Sequence, residues 1–292
     1  MQNVTPVAIA ALGLELLPAV LFGCARERVA RAVGHWPVAA RVCFPVLLVA
    51  PYGMVSTSAH MFRWGWFALY AVLPVAIAWL LLRAAAADAG QGGDWRDALI
   101  LLALGLAVDL RWFDRAWPTG LRALNELFLV DAGLYGFLGI RQLRGSGFDF
   151  HLRWSDWKTG LRELALFTPI VIVLGLALGF LHPHRNLPGI ASALLRWVGI
   201  LFFTAVPEEL YFRSWMQNLL ERRVGRRAAL AIASGLFGLS HFNKRSAHFN
   251  WRYVLLATIA GIFYGRAWRK RRRLPASTIT HASVDWLWGL WF

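Results

Sequence analysis

The chain is poor in charge. Only 16% of its 292 residues are Asp, Glu, Lys or Arg, against roughly a quarter in an average soluble domain. So few charges cannot cover the surface of a 32.8 kDa globule, which excludes an ordinary water-soluble fold. Cysteine is scarce too. Cys24 and Cys43 form no metal or redox spacing, so neither a disulfide framework nor a structural disulfide is expected. Lysine is limited to Lys158, Lys244 and Lys270. Internal repeats, low-complexity tracts and long polar stretches are missing, which excludes a disordered chain, a collagen-like chain and a separate soluble domain.

Apolar surface is abundant. Hydrophobic residues make up 58% of the chain, with 16 Trp and 19 Phe, and mean hydropathy is +0.49. A span needs about 20 apolar residues, and ten segments approach that: 4–22, 38–61, 64–82, 97–112, 121–140, 161–181, 190–220, 228–241, 253–268 and 275–292. The expected fold is all-α, a polytopic transmembrane helical bundle of about 8–10 membrane segments. Segment 4–22 lacks a basic leader and a small-residue cleavage pattern before Cys24, so it reads as a retained helix. Residues 1–160 form N-terminal helices without an assigned role, and 161–292 form the second part.

The net charge of +15 and a pI of 11.2 raise the question of a polyanionic partner. The basic residues lie between apolar runs rather than on one soluble face, so nucleic acid is not an expected partner. They report topology instead. Segments 23–37, 83–96, 141–160, 221–227 and 266–274 hold 19 Lys and Arg, against 6 in 62–63, 112–120, 182–189 and 242–252. By the positive-inside rule the first set is cytoplasmic, and both termini face the other side. Arg222, Arg223, Arg226, Arg227 and the run Arg269 to Arg273 are expected to touch anionic lipid.

An ionised side chain inside a membrane helix costs several kcal/mol, so such residues face a partner or a wet cavity. In the first half Glu15, Arg41, Asp109, Glu126 and Asp131 are scattered. Asp109, Glu126 and Asp131 lie near Arg111 and Arg122 in sequence, and structural pairing is expected of them. The last third concentrates three clusters. In Pro207-Glu208-Glu209-Leu210-Tyr211-Phe212-Arg213, Pro207 removes a backbone donor and kinks the helix. Adjacent carboxylates point about 100° apart, so Glu208 and Glu209 do different jobs. Glu209 and Arg213 stand at i, i+4, the favourable order for an ion pair. That leaves Glu208 as the free carboxylate, suited to general base work. The second cluster sets Phe237 one turn before His241. The third sets His281 one turn before Asp285, where a carboxylate orients an imidazole. One carboxylate and two histidines are also the composition of a water-activating site. Taken singly, each cluster is more often interhelical glue than chemistry.

In order, these clusters resemble the signature of the CAAX prenyl protease and bacteriocin-processing (CPBP, Abi-type) family of intramembrane endopeptidases. Glu208-Glu209-x-x-x-Arg213, Phe237-x-x-x-His241 and His281-x-x-x-Asp285 match its three motifs across about residues 160–292. The resemblance implies a helical core with a conical cavity that cleaves peptide bonds near the membrane surface. It implies that Glu208 with His241 activates the water and that His281 with residue 285 stabilises the oxyanion. Glu209 and Arg213 would hold the first helix, with Phe237 in support. An Asn at the last position would donate to an oxyanion, which an ionised Asp285 cannot. Three explanations stay open: Asp285 is protonated, it orients His281, or a metal is bound. No cofactor is firmly expected. Zinc on Glu208, His241 and His281 remains the metal alternative, although no His-Glu-x-x-His helix is present.

The expected function is therefore an intramembrane endopeptidase of membrane-anchored proteins or peptides, acting on C-terminal sorting tags or leaders in a bacterial inner membrane. Its partners are that substrate and the lipid bilayer. The competing readings are a proton-coupled transporter, which inverted repeats would favour, and a non-catalytic scaffold or immunity protein of the same family. One conflict remains. Counting rise per residue from the cytoplasmic ends sets Glu208 and His241 at depths of roughly 18–20 Å but His281 at about 9 Å. Convergence then needs tilted helices or a last helix that begins before Pro275.

Overall fold

The computed structural model describes residues 5–184, 188–246 and 248–292, and no strand occurs among them. Val4, the expected start of the first segment, and Arg185, counted in loop 182–189, lie outside the described residues. Two compact units divide at Arg144 and Gly145. Unit 1 holds α1 (Pro6–His35), α2 (Val38–Ser58), α3 (Trp64–Ala87), α4 (Trp95–Asp109) and α5 (Thr119–Ile140). Unit 2 holds α6 (Trp154–Ala177), α7 (Ile190–Leu239), α8 (Trp251–Arg271) and α9 (Leu274–Trp291).

Six of these helices, α1, α2, α3, α5, α6 and α7, are long and apolar enough to cross a membrane. The chain is a multi-pass integral membrane protein. The ten apolar segments of the sequence resolve into fewer elements for definite reasons. Segment 97–112 becomes α4, a helix of 15 residues and short for a span. Segments 190–220 and 228–241 are the two parts of α7, which meet at a kink at Gly225, whose φ of 79° and ψ of 168° are non-helical and open to glycine. Helices α8 and α9 fall short in hydropathy, α8 through its basic last turn and α9 through Ser277, Thr278, Thr280, His281, Ser283 and Asp285.

In unit 1, α1 starts where Thr5 Oγ1 accepts the Ala8 N–H at 3.2 Å with Pro6 in the first turn. Helix α5 is the centre, with 83% of its apolar window buried against 28% for each of α1, α2 and α3. The remaining faces of those three are left for lipid. Tyr70 donates to Asn125 Oδ1 at 2.8 Å and accepts from Trp117 Nε1 at 2.7 Å, and its ring stacks on Tyr52. The buried Arg141 is held by Asp97 at 3.1 Å and Asp88 at 2.6 Å. The pairing expected for Asp131 is corrected here. It lies against Glu15 of α1 rather than an arginine, and both side chains are buried. Proximity along the chain is no guide to which faces of two helices meet.

In unit 2, residues 145–153, which precede the expected division near 160, are pinned to the start of α9. Leu274 N–H donates to the Gly147 carbonyl at 2.8 Å, and Arg273 binds Asp149 and Asp156, each at 2.8 Å, and the His151 carbonyl at 2.6 Å. Burial would raise the Asp149 carboxyl, but hydrogen bonds from Arg273 and the His151 N–H outweigh it and hold the group below the usual range. Gly147 has φ 73°, and a Cβ there would strike the Arg272 carbonyl. The first ten residues of α9, Leu274 to Ser283, are all buried, so α9 begins inside the unit and not at its surface.

Helix α7 carries two widened, π-helical turns, Leu201–Ala205 and Leu210–Gln217, on either side of Val206–Glu209. Pro207 has no N–H to give, and the ladder opens around it. Farther along, Gly238 lets α7 and α8 approach closely. A Cβ there would collide with Thr258 Oγ1 and stand 2.5 Å from the Val254 carbonyl. We expect Gly238→Ala to cost about 1–3 kcal/mol through overpacking, read as a lower Tm in detergent. An unchanged Tm would show that the two helices part easily at this level.

Candidate functional site

Four of the sequence-predicted groups meet around one imidazole. Glu209 is completely buried, and three donors converge on it: Arg213 Nε at 3.0 Å, His281 Nδ1 at 2.9 Å and the Ser277 hydroxyl. The widened turn after Glu209 does not prevent the i, i+4 pair. The Arg213 guanidinium also lies 5.2 Å from the centre of the Phe237 ring, a cation–π contact of the desolvated kind. Glu209 thus ties α7 to α9 through His281, a role beyond the pairing expected of it.

The other ring nitrogen of His281, Nε2, faces Asp285 Oδ2 at 3.5 Å and Glu208 Oε2 at 3.8 Å. Acceptors on both sides suit a ring that carries N–H on both sides. Phe237 meets the His281 ring edge-on at 5.6 Å, and Tyr264 stacks on it at 4.5 Å. The imidazole is therefore fixed by two rings and by hydrogen bonding at Nδ1. Its Nε2 faces the less buried carboxylates.

Glu208 differs from its neighbour. Its side chain is 25% exposed, and its Oε2 has no hydrogen-bond partner. Its Oε1 lies 3.8 Å from Lys244 Nζ. His241, at the end of α7, is buried and directs Nδ1 to the Phe237 carbonyl at 2.8 Å. A carbonyl only accepts, so Nδ1 carries the proton and Nε2 keeps the lone pair. The His241 ring lies 5.0 Å from Phe237 and within electrostatic reach of Glu208, Lys244 and His281. All seven residues singled out in the last third (Glu208, Glu209, Arg213, Phe237, His241, His281 and Asp285) fall in this neighbourhood.

Among the described residues no group of three His, Cys, Asp or Glu side chains is arranged to hold a metal ion. Glu208, His241 and His281 are therefore not gathered as a ligand set among the described residues. His281 gives Nδ1 to Glu209, and its Nε2 faces the Glu208 and Asp285 carboxylates.

Four further residues belong to the neighbourhood that sequence reasoning missed: Lys244, Tyr253, Tyr264 and Ser277. Tyr253 packs its ring 4.7 Å from His241 and 5.4 Å from Trp288. Lys244 carried the one available signal, since lysine is rare here and this one follows a candidate histidine. The tyrosines and the serine look like ordinary helix residues at their positions.

Residues 189–287 match the family model described as type II CAAX prenyl endopeptidase Rce1-like. The match spans all three motifs and stops short of the N-terminal unit. No curated protein matched the chain, and no solved structure did so.

Proposed function

We propose, on the premise that residues 189–287 carry a domain of the type II CAAX prenyl endopeptidase Rce1-like family, that this chain hydrolyses peptide bonds of membrane-anchored proteins or peptides with the groups around Glu208. The observation that carries the reading is the contrast between two adjacent carboxylates. Glu209 is consumed by Arg213, His281 and Ser277, while Glu208 keeps one oxygen unpaired beside the His281 ring. A hydrolase needs such a division, one acid for architecture and one for proton transfer.

In this reading Glu208, assisted by His241 Nε2, takes a proton from water as the water oxygen bonds to the scissile carbonyl carbon. The carbonyl π pair moves onto oxygen, and His281 Nε2–H stabilises the charge. Collapse restores the carbonyl and breaks the C–N bond, and the proton held by Glu208 passes to the departing nitrogen. A carboxylic acid and an amine result, and transfer of the acid's proton to the amine leaves a carboxylate and an ammonium group. Asp285 orients His281, and Glu209 with Arg213 holds α7 in place. The reaction needs no metal step. Six helices with the length and composition of spans support a substrate in or at a bilayer, and a bacterial inner membrane with sorting-tag or leader processing is the setting we propose.

Co-expression with candidate membrane-anchored substrates tests the reading. Wild type is expected to shorten a substrate, Glu208→Ala and His241→Ala to leave it intact, and a chelator to leave wild-type cleavage unchanged. Equal cleavage by all three proteins would sink it.

A further inference from the structure

Amide hydrolysis develops a full negative charge on the carbonyl oxygen, and sites of this kind commonly offer it two donors. His281 Nε2 supplies one. The residue one turn later would be the second donor if it were Asn, but here it is Asp285, a carboxyl that faces His281 Nε2. Its Oδ2 lies 3.5 Å from His281 Nε2, where it orients that ring. The second donor therefore has to come from elsewhere.

Few groups in the neighbourhood qualify. Arg213 is buried and committed to Glu209 and the Phe237 face. Ser277 gives its proton to Glu209. Tyr264 is packed flat on the His281 ring and fully buried. Lys244 stands at Glu208 Oε1, on the acid's far oxygen from His281. Tyr253 remains. Its ring is wedged between His241 at 4.7 Å, Trp288 at 5.4 Å and Phe180 at 5.3 Å, so its direction is fixed. The side chain is half-buried, its hydroxyl hydrogen-bonds to no described residue, and it lies within electrostatic reach of Glu208 and Asp285. A phenol held by its ring, with its proton uncommitted and a water-accessible oxygen, is a preorganised donor.

We infer that Tyr253 is a catalytic residue, the second hydrogen-bond donor to the oxyanion, in the place that Asp285 cannot fill. The phenol keeps its proton throughout and shares it with the oxygen, so the proton balance of the hydrolysis is unchanged. The inference rests on the peptidase reading above.

The test compares wild type, Tyr253→Phe and Glu208→Gln in liposomes, on peptides drawn from a panel of lipidated and transmembrane-anchored C-terminal sequences. Tyr253→Phe preserves the ring contacts, so Tm should not move. Its kcat should fall about 10²–10³-fold with KM unchanged, the signature of a donor used only in the transition state. Wild-type kcat in Tyr253→Phe, beside an inactive Glu208→Gln, would overturn the inference and leave the peptidase reading standing. A change in KM alone would also overturn it, assigning Tyr253 to substrate binding. If no peptide is cleaved in a Glu208-dependent way, the peptidase reading fails and the inference fails with it.

Discussion

Glu208→Gln should lower kcat by about 10³–10⁴-fold while the protein stays folded. Both halves of that expectation come from geometry. The amide is close in shape to the carboxylate but cannot take a proton from water at neutral pH, so the proton-transfer step is lost. Folding should be spared because Glu208 is a quarter exposed and its charged neighbour Lys244 is 39% exposed. Glu208 Oε2 already lacks a hydrogen-bond partner in the wild type, so the amide breaks no hydrogen bond there and the expected stability change is within about 1 kcal/mol. Single-turnover cleavage and a melting curve on the same preparation read the two quantities. A large fall in Tm would reassign Glu208 to structure, and an unchanged rate would remove it from the chemistry.

Arg213→Met should do the opposite and act first on the fold. Arg213 and Glu209 are both fully buried at 3.0 Å, so removing the guanidinium strands a charge where water does not reach. Breaking a buried pair from one side costs about 3–5 kcal/mol. The loss should spread to the candidate site, because Glu209 also holds His281 Nδ1 at 2.9 Å. Adding Glu209→Gln to Arg213→Met removes the stranded charge and should recover part of the stability. It should not recover turnover, since the imidazole loses its anchor. Thermal unfolding in detergent measures both. A cost below about 1 kcal/mol for Arg213→Met would mean that Glu209 finds another counter-ion.

These two residues also show how far the sequence could be read. The split between Glu208 and Glu209 was legible from helix geometry and the spacing to Arg213, as were the pairs Phe237 with His241 and His281 with Asp285. A helix repeat places such partners on one face whatever surrounds them. What the spacing could not tell was depth. Counting residues from the basic loops said nothing of how Leu274 to Ser283 are buried in protein. The start of α9 is held by Gly147 and Asp149 of the strap at 145–153 and by Asp156 of α6, through Leu274 and Arg273.

Long-range partners were illegible for the same reason. Nothing near Asp131 in sequence points to Glu15, and nothing in Tyr253 or Tyr264 announces the ring of a distant histidine. The division between segments 190–220 and 228–241 was legible, and the chain breaks its helical path at Gly225 between them. Hydropathy alone cannot show that the polar face of α9 is buried in protein. The role of the N-terminal unit stays outside the family match, and its buried Glu15 and Asp131 belong to no part of the proposed chemistry.

The central claim is that Glu208 activates water for peptide hydrolysis. Its most direct test is mass spectrometry of a membrane-anchored peptide incubated in ¹⁸O-water with the reconstituted protein. The account predicts a new C-terminal carboxylate carrying one ¹⁸O atom with wild type, and intact peptide with Glu208→Gln. Labelled product of equal amount from Glu208→Gln would contradict it, as would peptide that wild type leaves whole.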